Sequence, residues 1–207
     1  MIELFEFPPT RSQRVKWALE ELGVDYVSRM INLQGGEQNE TAYRAVHPLG
    51  VVPALRTPDY TIYESIAIVQ QLLDEHSDRG LAPQPGSAQR AYYYQWCAFT
   101  AAELDPAVML VFDNSMRPLE FMRPPGRQHN QAWAALGREQ FRICADALAD
   151  VLSERDYLLG EQFSGADIVV GHSCFMAEFT GLLDGLPKLQ SYYQRLQQRP
   201  AYQRVYA

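Results

Sequence analysis

The sequence changes its pattern near residue 80, and this change most constrains the fold. Before it, short alternating segments of apolar and polar residues are separated by helical segments. After it, the periodic segments have helical spacing and no convincing strand pattern occurs. Residues 77–87 contain two prolines and two glycines, which is typical of a linker. We therefore predict a first domain over 1–77, a linker over 78–87 and an all-helical domain over 88–207.

The first part begins with a strand–helix–strand unit. Residues 2–7 alternate as a strand, and the pattern becomes helical from Ser12 until Gly23 supplies a stop. The segment from Tyr26 to Asn32 has the pattern of a second strand. A connection of this length through a helix predicts that the two strands are parallel.

A second group of elements follows a polar stretch over 33–47, where we expect a loop and a short helix. Residues 51–55 and 61–63 read as short strands, and their short connection predicts antiparallel pairing. Ser65 is then placed to cap the helix that follows. The order βαβ and then ββα predicts a thioredoxin-like domain, so the fold class is α/β followed by all-α.

The second part contains several helices. Ser87 is placed to cap a long helix rich in aromatic residues, and a second long helix runs from Trp133 to Leu152. Further helices begin near Ser164, at Pro187 and, for a short last one, at Pro200. Residues 114–128 read as a proline-rich loop.

Composition excludes some classes of function. The net charge of −7 disfavours nucleic acid as the main partner. Apolar runs are shorter than the roughly 20 residues that span a bilayer, so we expect no membrane segment. The acidic start at 1–6 reads as a strand rather than a signal peptide. The three cysteines show no zinc spacing and no C-x-x-C, and we expect buried free thiols: Cys97, Cys144 and Cys174.

Five motifs, in order along nearly the whole chain, resemble those of bacterial glutathione transferases. They are the first helix over 11–26 (RSQRVKWALEELGVDY), HPLGVVPAL at 47–55, Glu64-Ser65, FSGADI at 163–168 and RPAY at 199–202. The resemblance is to serine- or threonine-type, theta-like members of the cytosolic family. It implies the glutathione transferase fold, a cytoplasmic homodimer, a role in detoxification and a thiol attack on a small hydrophobic electrophile, with glutathione as co-substrate and no metal.

The resemblance also implies how glutathione is held. A cis peptide before Pro53 would leave the backbone of Val52 free to pair with the cysteinyl backbone of glutathione, like an added strand. Ser65 and the helix N-terminus beyond it suit the γ-glutamyl carboxylate, and Glu64 suits the ammonium group. The other interpretations are that Pro53 ends an edge strand and that Ser65 only caps its helix.

The catalytic group must lower the pKa of the glutathione thiol, and one hydroxyl at the start of the first helix is sufficient. In the relatives this hydroxyl lies four residues before the basic residue that corresponds to Arg14, which makes Thr10 the first candidate. Ser12 is the second, although it is better placed to cap the helix. Arg11, a backbone N–H or no activation at all are the remaining alternatives.

Two departures from the family motif affect the glycine end of glutathione. Val51 stands where relatives often have a lysine, so Gln34, Gln38 or Arg11 would have to take its role. His47 stands where relatives have asparagine, and we interpret it as a loop or capping residue. Four apolar side chains are candidates for the second-substrate pocket, although helical stripes are more often core: Tyr93, Trp96, Met109 and Phe112.

Two other functions stay open on the sequence. A glutathione-dependent peroxidase or disulfide-bond reductase would use the same site with another second substrate. The other is a non-catalytic binding protein with this fold. The presence of Val52-Pro53 together with Glu64-Ser65 argues against it, because such a protein has no chemical need for both motifs. The absence of a lysine at Val51 argues for it.

Overall fold

The computed structural model describes residues 1–118 and 126–206. The chain forms two compact units, one of Met1–Pro85 together with Gln197–Ala207 and one of Gly86–Leu196. The boundary at 85–86 lies inside the segment that the sequence indicates as a linker. The expected helical domain over 88–207 is wrong at its end, because the segment from Gln197 onward belongs to the first unit.

The first unit is built on a four-stranded sheet in the order β2-β1-β3-β4. Its strands are β1 (Ile2–Glu6), β2 (Tyr26–Met30), β3 (Ala54–Arg56) and β4 (Thr61–Tyr63). β1 and β2 are parallel and β3 and β4 are antiparallel, which confirms both predicted pairings. β3 begins three residues later than predicted, after Pro53, whose ring nitrogen cannot donate to a ladder.

Both faces of β1 are buried, as alternation along a strand requires. Leu4 pairs with Leu55, and both side chains are fully buried. The next residue, Phe5, packs in a separate cluster with Ile31, Tyr43, Val46 and Ala54. Each such side chain stabilises the unit by about 1.5–3 kcal/mol.

The helices of the first unit are α1 (Ser12–Leu22), the short α2 (Thr41–Arg44) and α3 (Ser65–Glu75), with 3-10 turns at Glu37–Asn39 and Ser77–Arg79. α1 packs against α3. The apolar stripe that predicts α1 is buried in the structure: Val15, Ala18, Leu19 and Leu22.

The last helix, α9 (Pro200–Tyr206), belongs to the first unit because it packs on α1. The buried Trp17 ring makes T-shaped contacts with the rings of Tyr202 and Tyr206, at centroid distances of 5.1 and 5.9 Å. Arg199 adds a bidentate ion pair with Glu21, at 2.7 and 2.8 Å. Aromatic and ionic contacts together therefore hold the chain end on α1.

The second unit is helical within its described residues. Its helices are α4 (Ala88–Phe99), a π-helical turn (Thr100–Leu104), α5 (Asp105–Ser115), α6 (Gln131–Val151), α7 (Gly165–Phe179) and α8 (Pro187–Gln197). Ser87 caps α4 by accepting the Arg90 N–H, as predicted. The proline-rich loop expected over 114–128 begins later, since Asn114 and Ser115 belong to α5, and residues 119–125 lie outside the described residues.

A capping box begins α7, as the Ser-x-x-Asp pattern predicts. The buried Asp167 carboxylate accepts hydrogen bonds from the Ser164 N–H and hydroxyl, the Leu158 N–H and the Tyr192 hydroxyl, at 2.8–2.9 Å. Burial raises the pKa of Asp167, and these four hydrogen bonds act in the opposite direction. Asp167 therefore has a structural role in joining α7, α8 and the segment before α7.

The three cysteines are free and buried, which confirms the expectation for them. Burial raises the pKa of the Cys174 thiol to about 12. Among the described residues, no helix has both the length and the apolar character needed to cross a bilayer.

Gly50 is the residue in the loop before β3 that we expect to tolerate substitution least. Its φ is +57°, and an added Cβ would lie 2.4 Å from the Gln38 carbonyl oxygen and 2.8 Å from Nε of Arg44. Gly50→Ala should therefore lower the free energy of unfolding by more than the roughly 1–2 kcal/mol that the left-handed conformation alone costs. Denaturant unfolding measures this change.

Gly80→Ala is the matched control, because Gly80 has a φ of +69° with no atom within 4 Å of an added Cβ. Equal losses of stability in the two variants would contradict the close packing of Gly50 against Gln38.

Candidate functional site

Strand register brings three loops to one edge of the sheet. Phe5 pairs with Ala54, and Ala54 pairs with Tyr63. Because β3 is antiparallel to both neighbours, the ends of β1 and β4 lie beside the start of β3. Thr10 follows β1, Val52 precedes β3 and Ser65 follows β4, so the structure brings these three predicted residues to the same edge.

Thr10 and Ser12 form a hydrogen-bonded pair at the start of α1. Their hydroxyl oxygens are 2.8 Å apart, and Thr10 Oγ1 also accepts the Ser12 N–H at 3.2 Å. The Ser12 oxygen accepts the Phe7 N–H at 3.1 Å and can donate to the Phe7 carbonyl at 3.2 Å. Thr10 is partly exposed and Ser12 is fully buried, so Thr10 is the hydroxyl that a ligand can reach.

The expected capping role of Ser12 is wrong. The cap residue of α1 is Arg11, which makes no side-chain cap, and Ser12 is the first helical residue. Its hydroxyl points back to Phe7, where it satisfies backbone groups that follow β1. The first N–H of the helix is accepted by Thr10 instead.

Ser65 likewise does not cap α3, which corrects a second expectation. It is the first residue of the helix, and Glu64 occupies the cap position without a side-chain cap. The buried Ser65 oxygen accepts a hydrogen bond from Nη1 of the fully buried Arg14, at 2.9 Å. Its hydroxyl proton is therefore available to another acceptor, and the N-terminus of α3 keeps N–H groups that favour an anion.

Arg14 is a further candidate site residue, which the motifs of the sequence do not single out and which the structure places against Ser65. A buried guanidinium loses hydration and favours an anion nearby. The sequence contains one indication of this burial: Arg14 lies one helical turn before Ala18, on the apolar stripe of α1. A charged residue on such a stripe indicates a buried polar contact.

The Val52-Pro53 peptide is cis, as the resemblance implies. Within residues 1–118 and 126–206, the backbone N–H and C=O of Val52 have no hydrogen-bond partner. The Val51 carbonyl, in contrast, accepts from the Tyr43 hydroxyl at 2.7 Å. This segment therefore presents one donor and one acceptor at a fixed loop, which is what an extended peptide needs to add as a strand.

Glu64 and His47 flank this edge. Glu64 is exposed and has φ +73°, a conformation that non-glycine residues rarely adopt and that is found most often at functional sites. His47 is buried, accepts the Leu49 N–H at Nδ1 and packs on the Tyr63 ring at 4.7 Å. Burial lowers the pKa of His47, and its contacts with Leu49 and Tyr63 agree with its interpretation as a loop residue.

The three candidates for the glycine carboxylate differ in setting. Gln38 lies in the 3-10 turn beside Gly50, and its buried Oε1 has no hydrogen-bond partner in the described part of the chain. Arg11 is exposed at the start of α1, and Gln34 is exposed in the loop before the turn. The side chain of Val51 is exposed and apolar, so it offers an anion no charge.

The four second-substrate candidates lie in the second unit. Tyr93 and Trp96 are buried in α4, as core residues are, and Arg90 packs over the Tyr93 ring at 5.2 Å. Met109 and Phe112 lie in α5 and are partly exposed, with the Phe112 ring 6.1 Å from Phe179. The exposure of Met109 and Phe112 makes them the better candidates for contact with an apolar ligand.

Comparisons with known proteins identify the family of the chain. The family model "Glutathione S-transferase, N-terminal domain" matches residues 4–80, and the model "Glutathione S-transferase, C-terminal domain" matches residues 131–195. Glutathione S-transferase 4 of Zea mays is 31% identical over 196 residues, which cover 93% of this chain and 85% of the maize protein. The chain belongs to the glutathione S-transferase family.

Solved structures of glutathione transferases match nearly the whole chain. The ternary complex of BphK, a bacterial GST, is 27% identical with a TM-score of 0.85, covering 98% of this chain and 96% of that chain. A glutathione transferase homologue from Sulfitobacter, solved with bound glutathione, is 25% identical with a TM-score of 0.82, covering 99% and 96%. The predicted family and the glutathione transferase fold are thus confirmed.

The described residues of this glutathione S-transferase contain no group of three His, Cys, Asp or Glu side chains placed to hold a metal ion. What the site offers is a partly exposed hydroxyl at the start of α1, an open backbone segment and the N-terminus of α3. These groups suit a peptide with an anionic end and a second group that is stabilised as an anion.

Proposed function

We propose that this glutathione S-transferase binds glutathione at the edge where β1, β3 and β4 meet and that Thr10 stabilises the glutathione thiolate. The observation that carries the proposal is that a partly exposed Thr10 hydroxyl and a Val52 backbone without a hydrogen-bond partner among the described residues lie at the same edge of the sheet. A thiolate stabilised in this way attacks a small hydrophobic electrophile.

Each end of glutathione has a partner at this edge. Val52 pairs with the cysteinyl backbone, and Pro53 keeps that segment in place beside β3. The Ser65 hydroxyl and the N-terminus of α3 receive the γ-glutamyl carboxylate, with Arg14 behind them. The Glu64 carboxylate faces the ammonium group. Gln38 or Arg11 takes the glycine carboxylate, as the apolar Val51 side chain cannot.

One hydroxyl is energetically sufficient for the activation. A free thiol has a pKa of about 8.5, and lowering it by two units requires about 2.7 kcal/mol of preference for the anion. A hydrogen bond to a charged group contributes about 1.5–3 kcal/mol, and a helix N-terminus about 0.3–1 kcal/mol. Thr10 at the start of α1 can supply both.

The family is also the basis for proposing an oligomeric state, a cellular location and a class of second substrate. We propose a cytoplasmic homodimer that conjugates apolar electrophiles in detoxification, with Met109 and Phe112 contacting the electrophile. An exposed apolar stripe on one face of α6 supports association with a second copy: Trp133, Leu136 and Ile143.

Thr10→Val should leave the dissociation constant of glutathione within a few-fold and reduce turnover with an electrophile at least tenfold at pH 6.5. The substitution keeps the side-chain volume and removes the hydroxyl, so the thiol pKa should rise by about one to two units. Steady-state kinetics with parallel calorimetric titration of glutathione measure both effects. Thr10→Ser keeps the hydroxyl and serves as the matched control.

Normal turnover in Thr10→Val would contradict the role of Thr10. Hydroperoxide and disulfide substrates tested beside electrophiles separate conjugation from peroxidase or reductase activity. Absence of glutathione binding to the wild-type protein at millimolar concentrations would instead favour a non-catalytic binding protein.

Ser65→Ala should weaken the binding of glutathione without changing the activation of its thiol, the reverse of the effect expected for Thr10→Val. Removing the hydroxyl takes one donor from the γ-glutamyl carboxylate, so the dissociation constant should rise about tenfold while the thiol pKa of bound glutathione stays unchanged. Calorimetric titration and a pH titration of the thiolate absorbance measure the two quantities. Ser77→Ala, an exposed serine in the same unit, is the control. An unchanged affinity in Ser65→Ala would contradict its proposed role.

A further inference from the structure

The Ser12 hydroxyl has one proton and two acceptors within reach. The Phe7 carbonyl lies at 3.2 Å and the Thr10 hydroxyl oxygen at 2.8 Å, while the Phe7 N–H already donates to Ser12 at 3.1 Å. A hydroxyl donates one hydrogen bond and accepts up to two. The direction of the Ser12 proton therefore determines what the Thr10 hydroxyl can do.

Two arrangements of these protons follow, and they differ in whether the Phe7 carbonyl keeps Ser12 as its donor. In the first, Ser12 donates to the Phe7 carbonyl, and Thr10 donates its own proton to Ser12. In the second, Ser12 donates to Thr10, whose oxygen then accepts both the Ser12 hydroxyl and the Ser12 N–H. The Thr10 proton is then directed away from Ser12, and the partial exposure of Thr10 gives a ligand access to it.

We propose that Ser12 is a positioning residue that directs the Thr10 proton toward the substrate sulfur, an inference that rests on the proposed glutathione site. The anion favours the second arrangement, because a thiolate accepts the Thr10 proton more strongly than a neutral hydroxyl does. In that arrangement the chain from Ser12 through Thr10 polarises each hydroxyl and strengthens the terminal hydrogen bond. No proton leaves either side chain, since only the directions of two O–H bonds change.

Because Ser12 is fully buried, its hydroxyl is held in one position beside Thr10. Its oxygen is fixed by the backbone of Phe7, so water does not compete for the pair from that side. Thr10 is in turn fixed by the Ser12 N–H, which holds Oγ1 at the N-terminus of α1. Ser12 thus acts on the substrate only through Thr10.

A double-mutant cycle tests the inference with Ser12→Ala, Thr10→Val and the double variant. The readout is the pKa of the bound glutathione thiol, from its ultraviolet thiolate absorbance against pH at saturating glutathione. Ser12→Ala should raise this pKa by roughly half a unit, the share expected from the lost polarisation. In the Thr10→Val background the same substitution should change nothing, because no hydroxyl remains to be directed.

In both backgrounds Ser12→Ala takes the hydrogen-bond partner from the Phe7 N–H. Because this structural effect is the same in both, it cancels when the two shifts in thiol pKa are compared. Thr10→Ser should restore the dependence on Ser12, because it keeps the hydroxyl. Thr57→Val is the control: Thr57 Oγ1 also accepts backbone N–H groups, from Asp59 and Tyr60, but it lies at the other end of β3. It should leave the thiol pKa unchanged.

Each failure has a separate meaning. Equal shifts from Ser12→Ala in both backgrounds, or no shift in the wild-type background, would overturn the inference and leave Thr10 as the activating hydroxyl. An unchanged thiol pKa in Thr10→Val alone would overturn the inference together with the proposed role of Thr10. A wild-type protein that binds no glutathione would overturn the proposed function itself.

Discussion

The register of β3 between β1 and β4 is the constraint on which the rest of the site depends. Ala54 lies opposite both Phe5 and Tyr63, so the residues that leave or enter these strands meet at one edge. A slip of one residue would move Leu55 to the opposite face, where the smaller Ala54 now packs, and would leave Leu4 without its partner, which makes the register energetically strict. The apolar core of the first unit therefore positions Thr10, Val52 and Ser65 at this edge.

Two helices begin at this edge, and neither is capped by its own cap residue. Arg11 and Glu64 occupy the cap positions of α1 and α3 without side-chain caps, and the hydroxyl groups that follow them bind elsewhere. Ser12 binds the Phe7 backbone and Ser65 binds Arg14. Capping normally contributes about 1 kcal/mol. At α1 the first N–H groups are instead accepted by Thr10 and Arg11, whereas α3 leaves its first N–H groups and the Ser65 hydroxyl proton to a ligand, at some cost in stability.

The sequence predicts the elements well, because alternation and helical spacing are local properties. The order βαβ-ββα, both strand pairings and the capping box at Ser164 follow from such patterns. The partners of Ser12 and Ser65 do not, since a hydroxyl that could cap a helix is chosen by distant groups, here Phe7 and Arg14. The placement of α9 cannot be predicted from the sequence for the same reason, because the pattern of a seven-residue helix shows an apolar face but does not show which core that face covers.

The most direct test is a crystal structure of the protein with glutathione bound. The account predicts the cysteinyl backbone paired with the N–H and C=O of Val52, the γ-glutamyl carboxylate at Ser65 and the N-terminus of α3, and the sulfur within hydrogen-bond distance of Thr10 Oγ1. Glutathione bound away from the β1–β3–β4 edge would contradict the account. So would a sulfur that contacts Arg11 or a backbone N–H and lies beyond hydrogen-bond distance of Thr10 Oγ1.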